Sequence, residues 1–384
     1  MQSIEEIREL FPITKNKVFL NHAARSPLPK PVVDAVQKCL FELSNSGEAS
    51  FDSSDYGKAL FAKLIGAKPN EIALTESTSV GLNIVANMLK YPHGSKIVTT
   101  DLEYPSVVYP WLRKHLGAKL HYVKSVEGKI PLGDVEKTVD DKTVAIVAGH
   151  VKYFTGFRED LKALSEIAHE HGAFLIVDAV QSAGAIQLNV KKDDVDFLAT
   201  ACYKWLLSPQ GAAYLYVKEE LIEKFEPLFL GWASVKQGFG DVGSLKFHET
   251  ASRFEIGARS LLSFAGATEA LKIFLNFGME SVERRILALT DYLVENIKAL
   301  GLKLQTPEEN HCRSGIVNFK TDNPEKVVEM LRQRGIFVSS RTHGITISPT
   351  FSHGVIVSPH FYNTEEEIDR LIQEVKTAVL ESKK

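Results

Sequence analysis

Between residues 55 and 220, short apolar runs alternate with stretches in which apolar side chains recur every three or four positions. The runs include Lys96-Ile-Val-Thr-Thr100, Thr143-Val-Ala-Ile-Val-Ala148, Ala173-Phe-Leu-Ile-Val-Asp178 and Ala212-Ala-Tyr-Leu-Tyr-Val217. Unbroken apolar runs of this length predict strands buried on both faces, and the longer period predicts the helices that cover them. One such helix carries Leu161, Leu164, Ile167, Ala168 and His171, with Gly172 as its stop. The alternation predicts a mostly parallel sheet of βαβ units. Upstream, Ser3 and Glu6 form a capping box for a short first helix, and Pro12 stops it before Val18-Phe-Leu-Asn21. Residues 219–260 are irregular, with Gly231, Gly238, Gly240 and Gly243 among aromatics, which predicts an active-site loop region. A long helical stretch follows from Leu261 to Leu300. The tail reads as strand, helix (Pro324 to Arg334), strands and helix (Thr364 to Leu380), a pattern suited to a small α+β domain. A near-repeat, His343 to Phe351 followed by His353 to Phe361, reads as a β-hairpin of two similar strands.

Length and composition narrow the class. A chain of 384 residues exceeds one hydrophobic core, so a large and a smaller domain are expected. The expected boundaries are an N-terminal arm over 1–18 packing with the small domain, a large domain over 19–260, and a small domain over 261–384 that includes the connecting helix. A formal net charge of -3 without a basic stripe argues against a nucleic-acid partner. Cys39, Cys202 and Cys312 are too few and too scattered for a disulfide framework or a zinc site, so no metal is expected and a reducing cytosol suits the chain. The first residues lack the apolar core of a signal peptide, and no window approaches the ~20 apolar residues of a membrane span. A soluble cytoplasmic protein is expected.

Two charged residues then change the picture. Asp178 and Lys204 each close an apolar run, the second being Val195-Asp-Phe-Leu-Ala-Thr-Ala-Cys-Tyr-Lys204. Ligands of parallel sheets sit at the carboxyl ends of the strands, where both residues fall. Pyridoxal phosphate needs these two groups: an amine to bond its aldehyde, and a carboxylate to keep its pyridine nitrogen protonated. Tyr203 and Trp205 flank the lysine, and desolvation between aromatics lowers an amine's pKa. Thr75-Glu-Ser-Thr-Ser79 leads into the helical pattern from Val80, which sets Ser77, Thr78 and Ser79 at a helix N-terminus suited either to phosphate or to simple capping. Gln181 is a hydrogen-bond candidate for the cofactor's phenolic oxygen, and Tyr104, just after a strand, for stacking on its ring.

In order along the chain, several segments resemble the class V aminotransferase family, fold-type I pyridoxal-phosphate enzymes that include cysteine desulfurases, isopenicillin N epimerase-like proteins and kynureninase. The segments are Phe19-Leu-Asn-His-Ala-Ala24, Ser77-Thr-Ser-Val-Gly-Leu-Asn83, Glu103 to Trp111, His169 to Ser182, Tyr203-Lys204-Trp205, Arg253-Phe-Glu-Ile-Gly257 and Ser358 to Asp369. The resemblance spans nearly the whole chain. It implies an α/β fold, a large domain with a mostly parallel seven-stranded sheet and a smaller α+β C-terminal domain. It also implies a homodimer with active sites at the subunit interface and a small amino acid as substrate. By resemblance Lys204 is the Schiff-base lysine, Asp178 the pyridinium partner, Gln181 the phenolate-oxygen donor and Tyr104 the stacking ring. Ser77, Thr78 and Tyr203 hold phosphate, with Thr200 and Cys202 as further neighbours.

The chain departs from that pattern around substrate and cofactor oxygens. The arginine that grips the substrate carboxylate, two residues before Ser-Pro-His, is Ile356 here. Arg341, Arg25 and Arg259 are candidate replacements, and His22 and His343 are further substrate candidates. The phosphate-binding threonine after Arg-Phe-Glu-x-Gly is Ala258, and the asparagine after His-Val is Tyr153. The loop from Ser340 to Ser348 lacks the nucleophilic cysteine of desulfurases. The expected activity is therefore amino transfer or cleavage at the β-carbon, with Lys204 as anchor and proton shuttle. Cysteine desulfuration and a catalytically inactive protein of the same fold are the alternatives.

Overall fold

The computed structural model describes residues 4–51, 55–113, 116–236, 245–341 and 353–382. Its centre is a seven-stranded sheet of β1 (Ile72–Thr75), β2 (Lys96–Thr100), β3 (Lys119–Val123), β4 (Thr143–Gly149), β5 (Phe174–Asp178), β6 (Phe197–Ala201) and β7 (Ala213–Val217). The order is β1-β7-β6-β5-β4-β2-β3. Strands β2 to β6 pair in parallel, and β7 runs antiparallel to both β1 and β6. Burial explains the unbroken apolar runs. In β5, Leu175 and Val177 enter one core while Ile176 enters the core on the opposite face. Each fully buried aliphatic side chain of this kind contributes about 1.5–3 kcal/mol.

The helical stretch expected from 261 to 300 is two helices, Leu261–Phe277 and Met279–Ala299, broken at Gly278, whose φ of 87° a side-chain-bearing residue rarely adopts. Phe264, Ala267, Leu271 and Phe274 of the first helix join the same core as Leu175 and Val177. A separate core in the tail gathers Leu293, Phe319, Leu331, Val355 and Leu371. There β8 (Val317–Lys320), β9 (Ser339–Arg341) and β10 (Gly354–Val357) form an antiparallel sheet with β10 central. Of the near-repeat, the first copy lies outside the described residues. The second supplies β10, which is paired on both edges, with β8 and β9.

The N-terminal segment ties the two cores together. Arg8 pairs with Glu367 at 2.9 Å, the Phe11 ring stacks on Tyr362 at 3.8 Å, and Val18–Phe19 pairs in parallel with Ile336–Phe337. Phe11 is also part of the core under the large sheet. Among the described residues no helix is long and apolar enough to cross a membrane.

Candidate active site

Asp178 is the last residue of β5, and Lys204 follows the end of β6, so adjacent parallel strands deliver both to one end of the sheet. The chain around Lys204 is held from several sides. The Ser26 amide donates to Tyr203 O at 3.1 Å, and the Ser26 hydroxyl donates to Lys204 O. Trp205 is fully buried, with its indole N–H donating to Gln181 Oε1 at 2.9 Å. Gly184 permits the close approach of that segment: it has φ of +91°, and a Cβ there would lie 2.4 Å from Trp205 O. This frame fixes the backbone and leaves the lysine's amine without a hydrogen bond or ion pair to any described residue. Two rings stand by it: Nζ lies 5.7 Å from the Tyr104 centroid and 5.8 Å from that of Tyr203.

Burial lowers the Lys204 amine to about 8, against the opposing pull of Asp178 and with a smaller contribution from Arg341. Burial raises Asp178 to about 6, countered by the Val180 amide, which donates to Oδ1 at 2.8 Å, and by Lys204. An amine and a carboxylate whose pKa values are pushed toward each other in one cavity mark a functional site rather than an ordinary ion pair. Glu103, Tyr104, Tyr153 and Gln181 share that cavity wall. A larger groove, beside Arg158, His311 and Cys312, has neither this amine nor this carboxylate.

The Thr78–Met88 helix begins beside the same strand end. Ser77 caps it by accepting from the Val80 amide at 3.2 Å, and Thr78 Oγ1 accepts from the Ala201 amide at 2.9 Å. Gly81 lets the helix pack tightly, since a Cβ there would meet the Ala199 Cβ at 2.9 Å. Ser79 bonds the Ser106 hydroxyl at 2.8 Å. Thr200 is buried, with its hydroxyl 3.4 Å from Ala201 O. Gln181 donates to Ala23 O at 3.0 Å as well as accepting from Trp205. The residues present fit pyridoxal phosphate: a buried amine with no hydrogen bond or ion pair among the described residues, a buried carboxylate on the next strand, a tyrosine ring over the amine, and a helix N-terminus with hydroxyls within the same region.

Of the substrate candidates, His22 is not brought to the cavity. It is fully buried, Nδ1 is 2.9 Å from Ser358 O and Nε2 is 3.0 Å from Tyr362 Oη, so neither nitrogen is spare. His343 lies outside the described residues. Arg259 is committed to Glu255 and lies 5.8 Å from the Tyr56 ring centre. Arg25 is exposed. Arg341, at the end of β9, pairs in register with Gly354 while Ser339 pairs with Ile356, so it stands on the strand next to the position the family's arginine would occupy. Burial lowers its pKa, opposed first by Tyr153 and then by Tyr104 and Tyr203. It has no carboxylate partner among the described residues.

Three residues of this site were not singled out for a role by sequence reasoning: Tyr153, Glu103 and Lys152. The Tyr153 ring meets Tyr104 edge-on at 5.3 Å, and its phenol is pushed up by burial. The available signal was a lysine inside an apolar segment, His150-Val-Lys-Tyr-Phe154, the same signal that marked Lys204.

Comparison with known proteins gives the family. Residues 18–371 match the family described as aminotransferase class-V. An uncharacterized aminotransferase, YcbU, of Bacillus subtilis is 30% identical over 97% of this chain and 97% of its own. A probable cysteine desulfurase of Pyrococcus abyssi is 29% identical over 97% of this chain and 96% of its own. Among solved structures, the apo cysteine desulfurase from Thermococcus onnurineus NA1 superposes with a TM-score of 0.89 at 29% identity, covering 99% of each chain.

Proposed function

The chain belongs to the class V aminotransferase family of pyridoxal-phosphate enzymes, and from that premise we propose that it acts on a small amino acid by amino transfer or β-carbon cleavage, with Arg341 and Tyr153 holding the substrate's carboxylate. The observation that carries this reading is the buried Lys204 amine, bonded to no described residue, opposite Asp178 and beneath Tyr104. Pyridoxal phosphate supplies an aldehyde for that amine and a ring that absorbs electrons from the substrate's α-carbon. Asp178 would keep the ring nitrogen protonated, Tyr104 would lie against the ring, and the Ser77–Thr78 helix start would offer amides and hydroxyls to phosphate. Lys204 Nζ has no hydrogen-bond or ion-pair partner among the described residues, which would leave it available to take and return the α-carbon proton. Arg341 offers a bidentate fork, and Tyr153, whose phenol stays protonated at working pH, offers a neutral donor beside it. A second copy of the chain is part of this reading. Leu228, Leu230 and Trp232 are 61, 46 and 60% exposed, surface suited to a dimer contact. A sedimentation mass of one chain would remove the dimer from the reading.

Persulfide transfer through the protein is disfavoured. All three cysteines are buried, and burial pushes each thiol up, so none offers a ready thiolate. Free thiols of this kind suit the cytosol. Cysteine desulfuration stands as the second reading because the Pyrococcus abyssi and Thermococcus onnurineus proteins bear that name.

The test is product analysis with alanine, serine, aspartate and cysteine in the absence of keto acid. Keto acid equal to enzyme, and no more, identifies amino transfer; catalytic pyruvate with ammonia identifies a lyase; alanine with sulfane sulfur, released as sulfide only when a thiol reductant is added, identifies desulfuration. No product from any amino acid would overturn the enzymatic reading. With the preferred substrate, Arg341→Ala should raise KM by about 10²-fold with a smaller change in kcat, as expected for loss of a charge-assisted pair. An unchanged KM would remove Arg341 from the carboxylate site.

The lowered Lys204 pKa also sets a pH dependence. Only the unprotonated amine attacks an aldehyde, so the rate of cofactor capture by apoprotein should rise about tenfold per pH unit and level off above about 8. A midpoint near the ordinary lysine value of 10.5 would contradict the desolvated site.

A further inference from the structure

Behind the cavity lies a row of buried charges. Lys152 is 1% exposed, and its ammonium contacts Glu103, lies 2.8 Å from Glu159 Oε1, and donates to Gly149 O at 3.1 Å. Glu103 is further fixed by Thr100 Oγ1, donating to Oε1 at 2.8 Å, and by the Gly149 amide, donating to Oε2 at 2.9 Å. Gly149 is the register partner of Asp178, and the next amide, His150 N, donates to Asp178 O at 2.9 Å. Glu103 is thus bonded to the strand alongside Asp178, immediately precedes Tyr104, and shares the cavity wall with Asp178 and Lys204.

A buried row of two carboxylates and one ammonium is a poor device for stability, because desolvation cancels most of the attraction. It does hold two charges at fixed positions. We propose that Lys152 is a positioning residue for the cofactor reaction, neutralising Glu103 at the cavity wall so that Asp178 keeps its negative charge opposite the cofactor's ring nitrogen. The proposal rests on the reading of Asp178 and Lys204 as the cofactor site.

The charged groups facing Asp178 come from three neighbouring segments. Lys204 follows β6 and favours the carboxylate, Glu103 follows β2 and disfavours it, and Lys152 follows β4 and favours it. Among the uncharged titratable groups, Tyr104 and Tyr153 share the cavity wall and His150 adjoins Asp178 through its backbone, while the Tyr203 phenol is raised by burial first and by Asp178 only in part. Burial pulls Lys152 down, but Glu103 and Glu159 outweigh it and keep the ammonium charged. Without Lys152, the uncompensated Glu103 would favour the protonated form of Asp178, which cannot hold the pyridinium.

The test is a pH titration of the visible absorption of the holoenzyme, read beside its thermal midpoint. Glu103→Gln keeps the hydrogen-bonding shape, removes the like charge, and should lower the acid midpoint of the spectrum by about one pH unit. Lys152→Gln should raise it by a similar amount, the double variant should return it toward wild type, and Lys152→Arg should preserve it. If Lys152→Gln fails to fold, Glu103→Gln alone decides. Midpoints unmoved in Glu103→Gln, whatever its thermal stability, would overturn the proposal and leave the row purely structural. A visible band that survives Lys204→Ala unchanged is a different result, one that would sink the cofactor assignment itself.

Discussion

Lys204→Ala is expected to lower turnover of the preferred amino acid by at least about 10⁴-fold, because one amine both bonds the cofactor and moves the α-carbon proton. The fold should survive the change. The amine makes no hydrogen bond or ion pair with any described residue, and the backbone around it is fixed independently by Ser26 and the buried Trp205. Removing a desolvated amine whose pKa is lowered to about 8 also removes a cost of folding at pH values below that. The variant should therefore retain the wild-type circular dichroism and an apoprotein thermal midpoint at or above the wild-type value. Borohydride treatment followed by peptide mass analysis should attach cofactor at Lys204 in the wild type and nowhere in the variant. Turnover within tenfold of wild type would refute the assignment.

The second large effect is expected at Asp178. Asparagine matches its shape and can still accept from the Val180 amide, but it carries no charge to hold a protonated ring nitrogen. Loss of one such fixed electrostatic group costs about 10²–10³ in kcat. Stability should move the other way. Burial raises the Asp178 pKa from 3.8 to about 6, so the folded protein binds this proton more tightly than the unfolded chain. The carboxylate's contribution to stability is thus most favourable below 3.8 and is lost as pH rises through about 6. Asp178→Asn should accordingly be as stable as wild type in acid and more stable at pH 8, measured on apoprotein. A large loss of stability at pH 8, together with the loss of kcat, would make Asp178 a structural residue and remove its catalytic role.

Both predictions concern residues that were legible in the sequence, and the reason is physical. A charged side chain closing an apolar run cannot be buried without a compensating role, and short-range sterics already specify the strands Phe174–Asp178 and Phe197–Ala201. The βαβ alternation and the tail's strand and helix order were readable on the same basis, because periodic burial of one or both faces leaves its mark on neighbouring residues. Helix breaking by Gly278 was within reach of the sequence, since glycine tolerates positive φ, but the strong apolar period on either side obscured it.

What lay beyond the sequence depended on contacts between distant segments. His22 fell within a matching motif, yet the tertiary structure commits both its nitrogens to Ser358 and Tyr362, more than 300 residues away. The missing arginine at Ile356 was visible by position. That Arg341 stands on the adjacent strand became visible only through the register of β9 against β10. The Glu103–Lys152–Glu159 row likewise forms only once β2 and β4 lie side by side and their following segments converge. The sequence by itself determined the elements and the charged residues that burial would make costly. The tertiary structure alone decided which of those charges meet, because pairing depends on strand order and register, and no local periodicity encodes either.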